Sequence, residues 1–371
     1  MMKRAGNDAS PFSPDYAAAR ARFRARAAER GFRLEAHPIG RSGPAGEDLT
    51  IDVAVLGDDR PERAVVVSSG LHGVEGFFGS AAQLAFLETE AVESYLPPSG
   101  AALVFLHAID PHGFARVRRF NEENVDLNRN FLVNGEPYGG CPPQYKDLDG
   151  LLNPKGPPGW LDPFWPRALW AVLRHGMPEM KQAVAGGQYD YPRGLFFGGH
   201  GPSTALRILA ANLSRWVGDS GPVLHVDFHT GLGRWATYQL LLDPGLGAER
   251  LAWFEARFGA GNLQLSRPDG IAYDARGDIG TWCQAMHPGG AYDLLCAEFG
   301  TYPAMRVLAA LRAENRAYHQ LGHDDPMTRR AKRRLLEAFV PADPGWRARS
   351  VAQGLDIIRN ALRAGFGERS S

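Results

Sequence analysis

The chain is poor in cysteine, has no long apolar run and carries no net charge. Its 371 residues include three cysteines, Cys141, Cys283 and Cys296, with no CxxC spacing. So sparse and odd a set excludes a disulfide framework and a cysteine-built zinc site, and it fits a reducing compartment. No window approaches the roughly 18 uninterrupted apolar residues of a membrane span, so no membrane partner is expected. The opening MMKRAGNDASPFSPDY has two cationic residues but no apolar stretch after them. It does not read as a signal peptide, and a cytoplasmic location is expected. Lys and Arg number 41, as do Asp and Glu. A neutral chain lacks the positive field that draws a phosphate backbone, so nucleic acid is not an expected partner.

What the chain does have is an ordinary globular balance, 44% hydrophobic and 22% charged, with 44 glycines and 27 prolines. That richness in turn formers predicts long ordered loops rather than a helical bundle. Length alone allows two domains, but a single large α/β domain also reaches it, and the pattern of elements favours one domain over 1–371. Ser13-Pro14 reads as an N-cap with proline at the first helical position, opening a helix over 14–30 with Tyr16, Arg20, Phe23 and Ala27 on one face and Gly31 as its stop. Strands follow at 32–37, 49–56 and 64–67. The last, Ala64-Val65-Val66-Val67, runs through SSGLHGVEG into a helix over 77–87 and then a second apolar strand at 101–106. Strand, helix, strand at this spacing is a βαβ unit with a right-handed crossover. Further buried strands are expected at 223–228, 238–242 and 292–299, with helices at 205–216, 248–258 and 305–321. Such alternation predicts a mostly parallel or mixed sheet covered on both faces.

Residues 134–201 break this rhythm with GEPYGGCPP, NPKGPPGWLDPFWP and GLFFGGHG around one helical piece near 168–173. The segment reads as a large ordered insertion, either a wall of the site or a surface excursion. The region 326–371 reads as a helical tail whose MTRRAKRRLLEAF run presents a solvated basic face.

Four segments carry chemistry. In His72-Gly73-Val74-Glu75, a His leaving a buried strand and a Glu at the next helix start can aim at one point, and glycines at 70, 73 and 76 permit the sharp turn. Sites in α/β sheets sit at this edge. In His225-Val226-Asp227-Phe228-His229 the odd positions share a face. The two histidines are about 13 Å apart along a strand, too far to share one metal ion. His229, at the strand end before Thr230-Gly231, is the better candidate, with Asp227 orienting it and His225 in the core. Arg118 through Phe131 (RRFNEENVDLNRNF) is dense in guanidinium and carboxamide groups that bind carboxylates or polarise carbonyls. Glu298 interrupts an otherwise apolar strand, where burial raises a carboxylate's pKa and suits a general base. Ser68-Ser69-Gly70 beside His72 lacks the GxSxG elbow and an acid partner, which discounts a serine hydrolase.

In chain order, HGVE, RRFNEENVDLNRNF, VDFHTG and AEFGTYP resemble the M14 metallocarboxypeptidase superfamily, most closely its bacterial DUF2817-type branch. The resemblance spans residues 64 to about 303. It implies an α/β fold with a mixed, mostly parallel sheet of about eight strands and helices on both faces. It implies one Zn²⁺ ion held by His72, Glu75 and His229, and Glu298 as general base and acid. Arg119, seven residues before Asp126, would polarise the scissile carbonyl, with Arg118 the alternative, and Asn128 and Arg129 would hold the substrate's carboxylate. The implied activity is removal of a C-terminal residue from a small peptide. Related deacylases, of the aspartoacylase and succinylglutamate desuccinylase type, share the DLNR motif and act on N-acyl amino acids. A binding protein that keeps only the fold is the third reading. The tyrosine that digestive members place before the base has no clear counterpart, since neither Tyr273 nor Tyr292 aligns, and no pro-segment is recognisable.

Overall fold

Strands written as unbroken aliphatic runs leave no face for water, so they belong at the centre of a covered sheet. The computed structural model describes residues 10–89, 92–156, 158, 162–176, 186–265 and 275–367. Its strands are β1 (Arg33–Ser42), β2 (Asp48–Gly57), β3 (Arg63–Ser69), β4 (Ala101–His107), β5 (Val223–Thr230), β6 (Tyr238–Leu242), β7 (Leu263–Leu265) and β8 (Tyr292–Phe299). They form one eight-stranded sheet in the order β1-β2-β4-β3-β5-β8-β6-β7. The central block β4-β3-β5-β8 is parallel; β1, β2 and β6 join antiparallel, and β7 runs parallel to β6. This is the mixed, mostly parallel sheet the pattern predicts. Every residue of β4 and β5 is buried, so both faces are covered there.

The helices are α1 (Tyr16–Glu29), α2 (Gly76–Thr89), α3 (Pro111–Arg116), α4 (Pro143–Leu152), α5 (Phe164–His175), α6 (Thr204–Val217), α7 (Ala248–Phe258), α8 (Ile279–Met286), α9 (Ala304–Leu321), α10 (Pro326–Phe339) and α11 (Pro344–Phe366). Between parallel neighbours β3 and β4 lies α2, the expected βαβ crossover. It packs on β3 and β5 beside α11, while α6 packs on β1, β3 and β4.

Three local expectations need correction. The cap of α1 is Asp15, not Ser13: its carboxylate accepts the Ala18 N–H at 2.8 Å, so Pro14 precedes the cap. The buried face of α1 is Tyr16, Ala19, Phe23 and Ala27, whereas Arg20 turns to the buried Asp52 carboxylate, 2.9 Å away. Among the described residues, the insertion 134–201 contains two helices where one was expected. The unforeseen α4 has Pro143 in its first turn and buries Tyr145, Leu148 and Leu152. The described part of the tail, 326–367, is helical in two pieces, α10 and α11. Pro341 cannot donate to a continuing helix, and Asp343 starts a new one by accepting the Trp346 N–H at 2.7 Å. Residues 368–371 lie outside the described residues. On α10 the side chains of Arg329, Arg330, Arg333 and Arg334 are exposed, a solvated face as expected.

Candidate metal and catalytic site

The chain leaves β3 through Gly70 at φ +65°, where a Cβ would come 2.7 Å from the Cβ of Ala108. His72 follows, then a single 3₁₀ turn over Gly73–Glu75 that leads directly into α2. At Gly73 a Cβ would lie 2.2 Å from the backbone of Gly113, so only glycine lets α3 approach the turn this closely. The turn is also held by Val74 N–H donating to Arg118 O at 2.7 Å. On the neighbouring parallel strands His229 and Glu298 are direct register partners. Two strand ends and one strand-to-helix turn thus bring His72, Glu75, His229 and Glu298 to one sheet edge.

One donor atom from each of His72, Glu75 and His229 lies within 4.8 Å of the other two, and all three residues are buried. The Glu75 carboxylate is fixed on both sides. Its Oε1 accepts from Arg119 Nη1 at 3.0 Å, and its Oε2 accepts the Thr230 N–H at 3.0 Å. His229 Nε2 lies 2.6 Å from Asp227 Oδ2, which leaves Nδ1 facing Glu75 Oε2 at 3.3 Å. Asp227 is held in turn by the Ser68 hydroxyl, which donates to Oδ1 at 2.5 Å. His72 Nε2 is 2.8 Å from Arg119 Nη2, and its buried Nδ1 faces Asp126 Oδ1 at 3.3 Å. Burial, followed by the charge of Arg119, holds the His72 imidazole well below its usual pKa, in the neutral form a ligand needs. Two buried imidazoles and a carboxylate, with one donor atom of each within 4.8 Å of the others, fit a divalent metal ion.

Glu298 is 7% exposed, and its Oε1 accepts the Leu232 N–H at 2.8 Å. Burial, and then the charge of Glu75, push its pKa up to about 7. Arg119 completes the centre: its Nε donates to Asp126 at 3.0 Å, and the Phe196 ring lies 5.6 Å from its guanidinium carbon. Arg118, the alternative, points elsewhere. It is fully buried and bonded to Glu314, Asn124 and Asn315.

These groups open into a cavity of about 360 Å³ whose wall includes His72, Glu75, Arg119, Asn128, His229 and Glu298. The far wall is apolar, with Leu242, Ile279, Leu294, Leu308, Leu311 and Phe339. Asn128 Oδ1 accepts the Ile279 N–H at 3.0 Å, which turns the amide NH₂ to serve as donor. Arg129 does not line the cavity. It is fully buried behind it, where a Cβ on Gly187 would meet its Cδ at 2.7 Å. Among the described residues, the insertion supplies one wall residue, Phe196.

Tyr292 takes no part in the cavity: it is buried, its hydroxyl 3.0 Å from Nδ1 of the core residue His225. Tyr273 lies outside the described residues. Sequence reasoning weighed Ser68 only as a hydrolase nucleophile, not as a partner of Asp227, and passed over the Leu232 N–H and Phe196. The signal for Ser68 was available, since a polar residue in an apolar strand needs a buried partner. No sequence pattern announces Leu232 or Phe196, because each acts through a chain reversal that only the fold creates.

The sequence pattern of the family described as "Protein of unknown function (DUF2817)" matches residues 12–353, and the chain belongs to that family. No functionally curated protein matches the sequence. Among solved structures, the chain is similar to a metallo-carboxypeptidase from Burkholderia cenocepacia, with 10% identity over 93% of this chain and 67% of that one and a TM-score of 0.46. It is similar to a metallo-carboxypeptidase from Pseudomonas aeruginosa in complex with (2-guanidinoethylmercapto)succinic acid, with 15% identity over 93% and 67% and a TM-score of 0.41. A product-bound ectoine utilization protein, EutE (DoeB), from Ruegeria pomeroyi shares 15% identity over 77% and 70%, with a TM-score of 0.37.

Proposed function

We propose that this member of the DUF2817 family is a zinc-dependent amide hydrolase of carboxypeptidase type, which removes a C-terminal residue from small peptides. The observation that carries this reading is the convergence of His72, Glu75 and His229 with the buried Glu298 on one wall of a single cavity. Held by the two histidines and Glu75, a zinc ion supplies Lewis acidity, polarising an amide carbonyl and acidifying water. Asp227 keeps His229 in one tautomer, with Ser68 fixing Asp227. Glu298, with its pKa raised to about 7, accepts the proton of the attacking water and delivers it to the leaving nitrogen. The Arg119 guanidinium places positive charge where the carbonyl oxygen becomes anionic. The Asn128 NH₂ donates to the substrate's terminal carboxylate, with Arg129 adding positive field from behind the wall.

The test is mass spectrometry of products from peptides supplied as free acids and as C-terminal amides, alongside N-acyl amino acids, with and without a zinc chelator. Chelator-sensitive loss of one residue from the free acids alone is expected. Release of small acids from N-acyl amino acids with peptides untouched would overturn the peptidase reading in favour of a deacylase. No turnover in a chain that holds stoichiometric zinc would leave a binding protein.

A further inference from the structure

The turn that carries His72 leans on a second cluster of titratable side chains that takes no part in the site above. Asp110, at the end of the segment after β4, caps α3 by accepting the Gly113 N–H on Oδ1 at 2.8 Å. His112 lies in the first turn of α3, and Glu122 comes from the loop between α3 and Asp126. One donor atom from each of the three lies within 4.8 Å of the other two. A point therefore exists within about 2.8 Å of all three, so side-chain shifts of under about 1 Å would bring them to the bond lengths of a divalent ion.

Packing alone does not account for the cluster. Asp110 is 1% exposed and its Oδ2 has no hydrogen-bond partner; His112 is 8% exposed and its Nδ1 has none. Buried polar atoms left without partners in this way oppose folding unless something satisfies them. The Arg118 guanidinium is bonded elsewhere, its Nε to the buried Glu314 carboxylate at 2.9 Å. Two carboxylates and an imidazole around one point, with a buried atom of Asp110 and of His112 left without a partner, form a cation's donor set. One nitrogen with two oxygens suits a transition ion such as Zn²⁺ or Mn²⁺ better than Mg²⁺.

We propose that Asp110, His112 and Glu122 form a second divalent-cation site, separate from the His72–Glu75–His229 centre. Its ion is structural. It ties the start of α3 to the 118–126 loop, whose Arg118 and Arg119 carbonyls hold the His72 turn through Val74 and Gly73 N–H groups. The site does not depend on what the main centre hydrolyses.

The test counts metal. The full chain is stripped with chelator, dialysed against Zn²⁺ or Mn²⁺, and metal per chain is measured by plasma mass spectrometry. Wild type, Glu122→Gln, His112→Gln and His72→Gln are compared. Two ions are expected in wild type, one in each single variant and none in Glu122→Gln/His72→Gln. A count in Glu122→Gln equal to that of wild type would overturn the second site, whereas an unchanged count in His72→Gln would overturn only the main one. Should His112→Gln fail to fold, the half-buried Glu122, replaced at equal volume, carries the experiment. As an independent reading, Zn²⁺ should raise the Tm of His72→Gln and leave that of the double variant unmoved. No shift in His72→Gln would also overturn the proposal.

Discussion

Replacing Glu298 by glutamine removes the buried carboxylate assigned to proton transfer while keeping its shape. The carboxamide oxygen can still accept the Leu232 N–H that Oε1 now takes at 2.8 Å, so the strand end should stay in place. A neutral side chain also relieves the repulsion with Glu75 that helps raise Glu298, so metal content should not fall. General acid–base catalysis by one group contributes about 10²–10⁴-fold, or roughly 3–5 kcal/mol of barrier. The variant should lose turnover by that factor with little change in KM. The pH profile carries a second signature. Glu298 acts as a base only when ionised, so kcat/KM should rise with pH along an acid limb. Burial and Glu75 place the metal-free midpoint at about 7, against an ordinary 4.5. A bound dication opposes the Glu75 contribution, so the holoenzyme limb should fall between those two values. At the upper bound, a midpoint of 7, the base form is about a tenth at pH 6 and about nine-tenths at pH 8, and a lower midpoint moves both points down. Steady-state hydrolysis of a free-acid peptide across pH 5–9, with metal counted on the same samples, measures both. Turnover within tenfold of wild type, or an acid limb that persists unchanged in the glutamine variant, would refute the assignment.

Other outcomes follow from the same contacts. Asp227→Asn should weaken metal affinity by about 10–100-fold through His229, read by competition with a coloured chelator, and Ser68→Ala should do so less. Gly73→Ala must place a Cβ 2.2 Å from the Gly113 backbone, and should cost about 1–3 kcal/mol in urea unfolding together with metal affinity. Burial lowers His107 and His319 to about 4 from 6.5. Between those pH values the unfolded chain binds more protons than the folded one, so stability should fall as pH drops from 6.5 towards 4. Urea midpoints at pH 7 and pH 4.5 check this, and equal values would contradict it.

The central block of the fold was legible because local pattern and tertiary role coincide there. The unbroken runs at Ala64–Val67 and Ala101–Leu106 could only be strands covered on both faces, and the helix between them made the crossover inevitable. The α4 helix was hidden because glycines and prolines on either side of PQYKDLDGLL mask its three apolar anchors. The start of α1 was misplaced by two residues because Ser13-Pro14 and Asp15 are both competent caps, and only the Asp15 geometry reaches an N–H.

By itself the sequence determined which side chains are chemically able to act. A His and a Glu three residues apart at a glycine-flanked strand end, a second His at another strand end, and a Glu inside an apolar strand can each be named without coordinates. Tertiary structure alone decided how they meet. Register between parallel strands sets His229 opposite Glu298, and the passage of α3 against Gly73 sets the His72 turn. It also decided which arginine faces the ligands: Arg118 and Arg119 are adjacent in sequence, yet the first is spent on Glu314 in the interior and the second reaches Glu75 and His72. The physical reason is that residue type fixes what a group can do, whereas its pKa, partners and reach are fixed by neighbours distant along the chain.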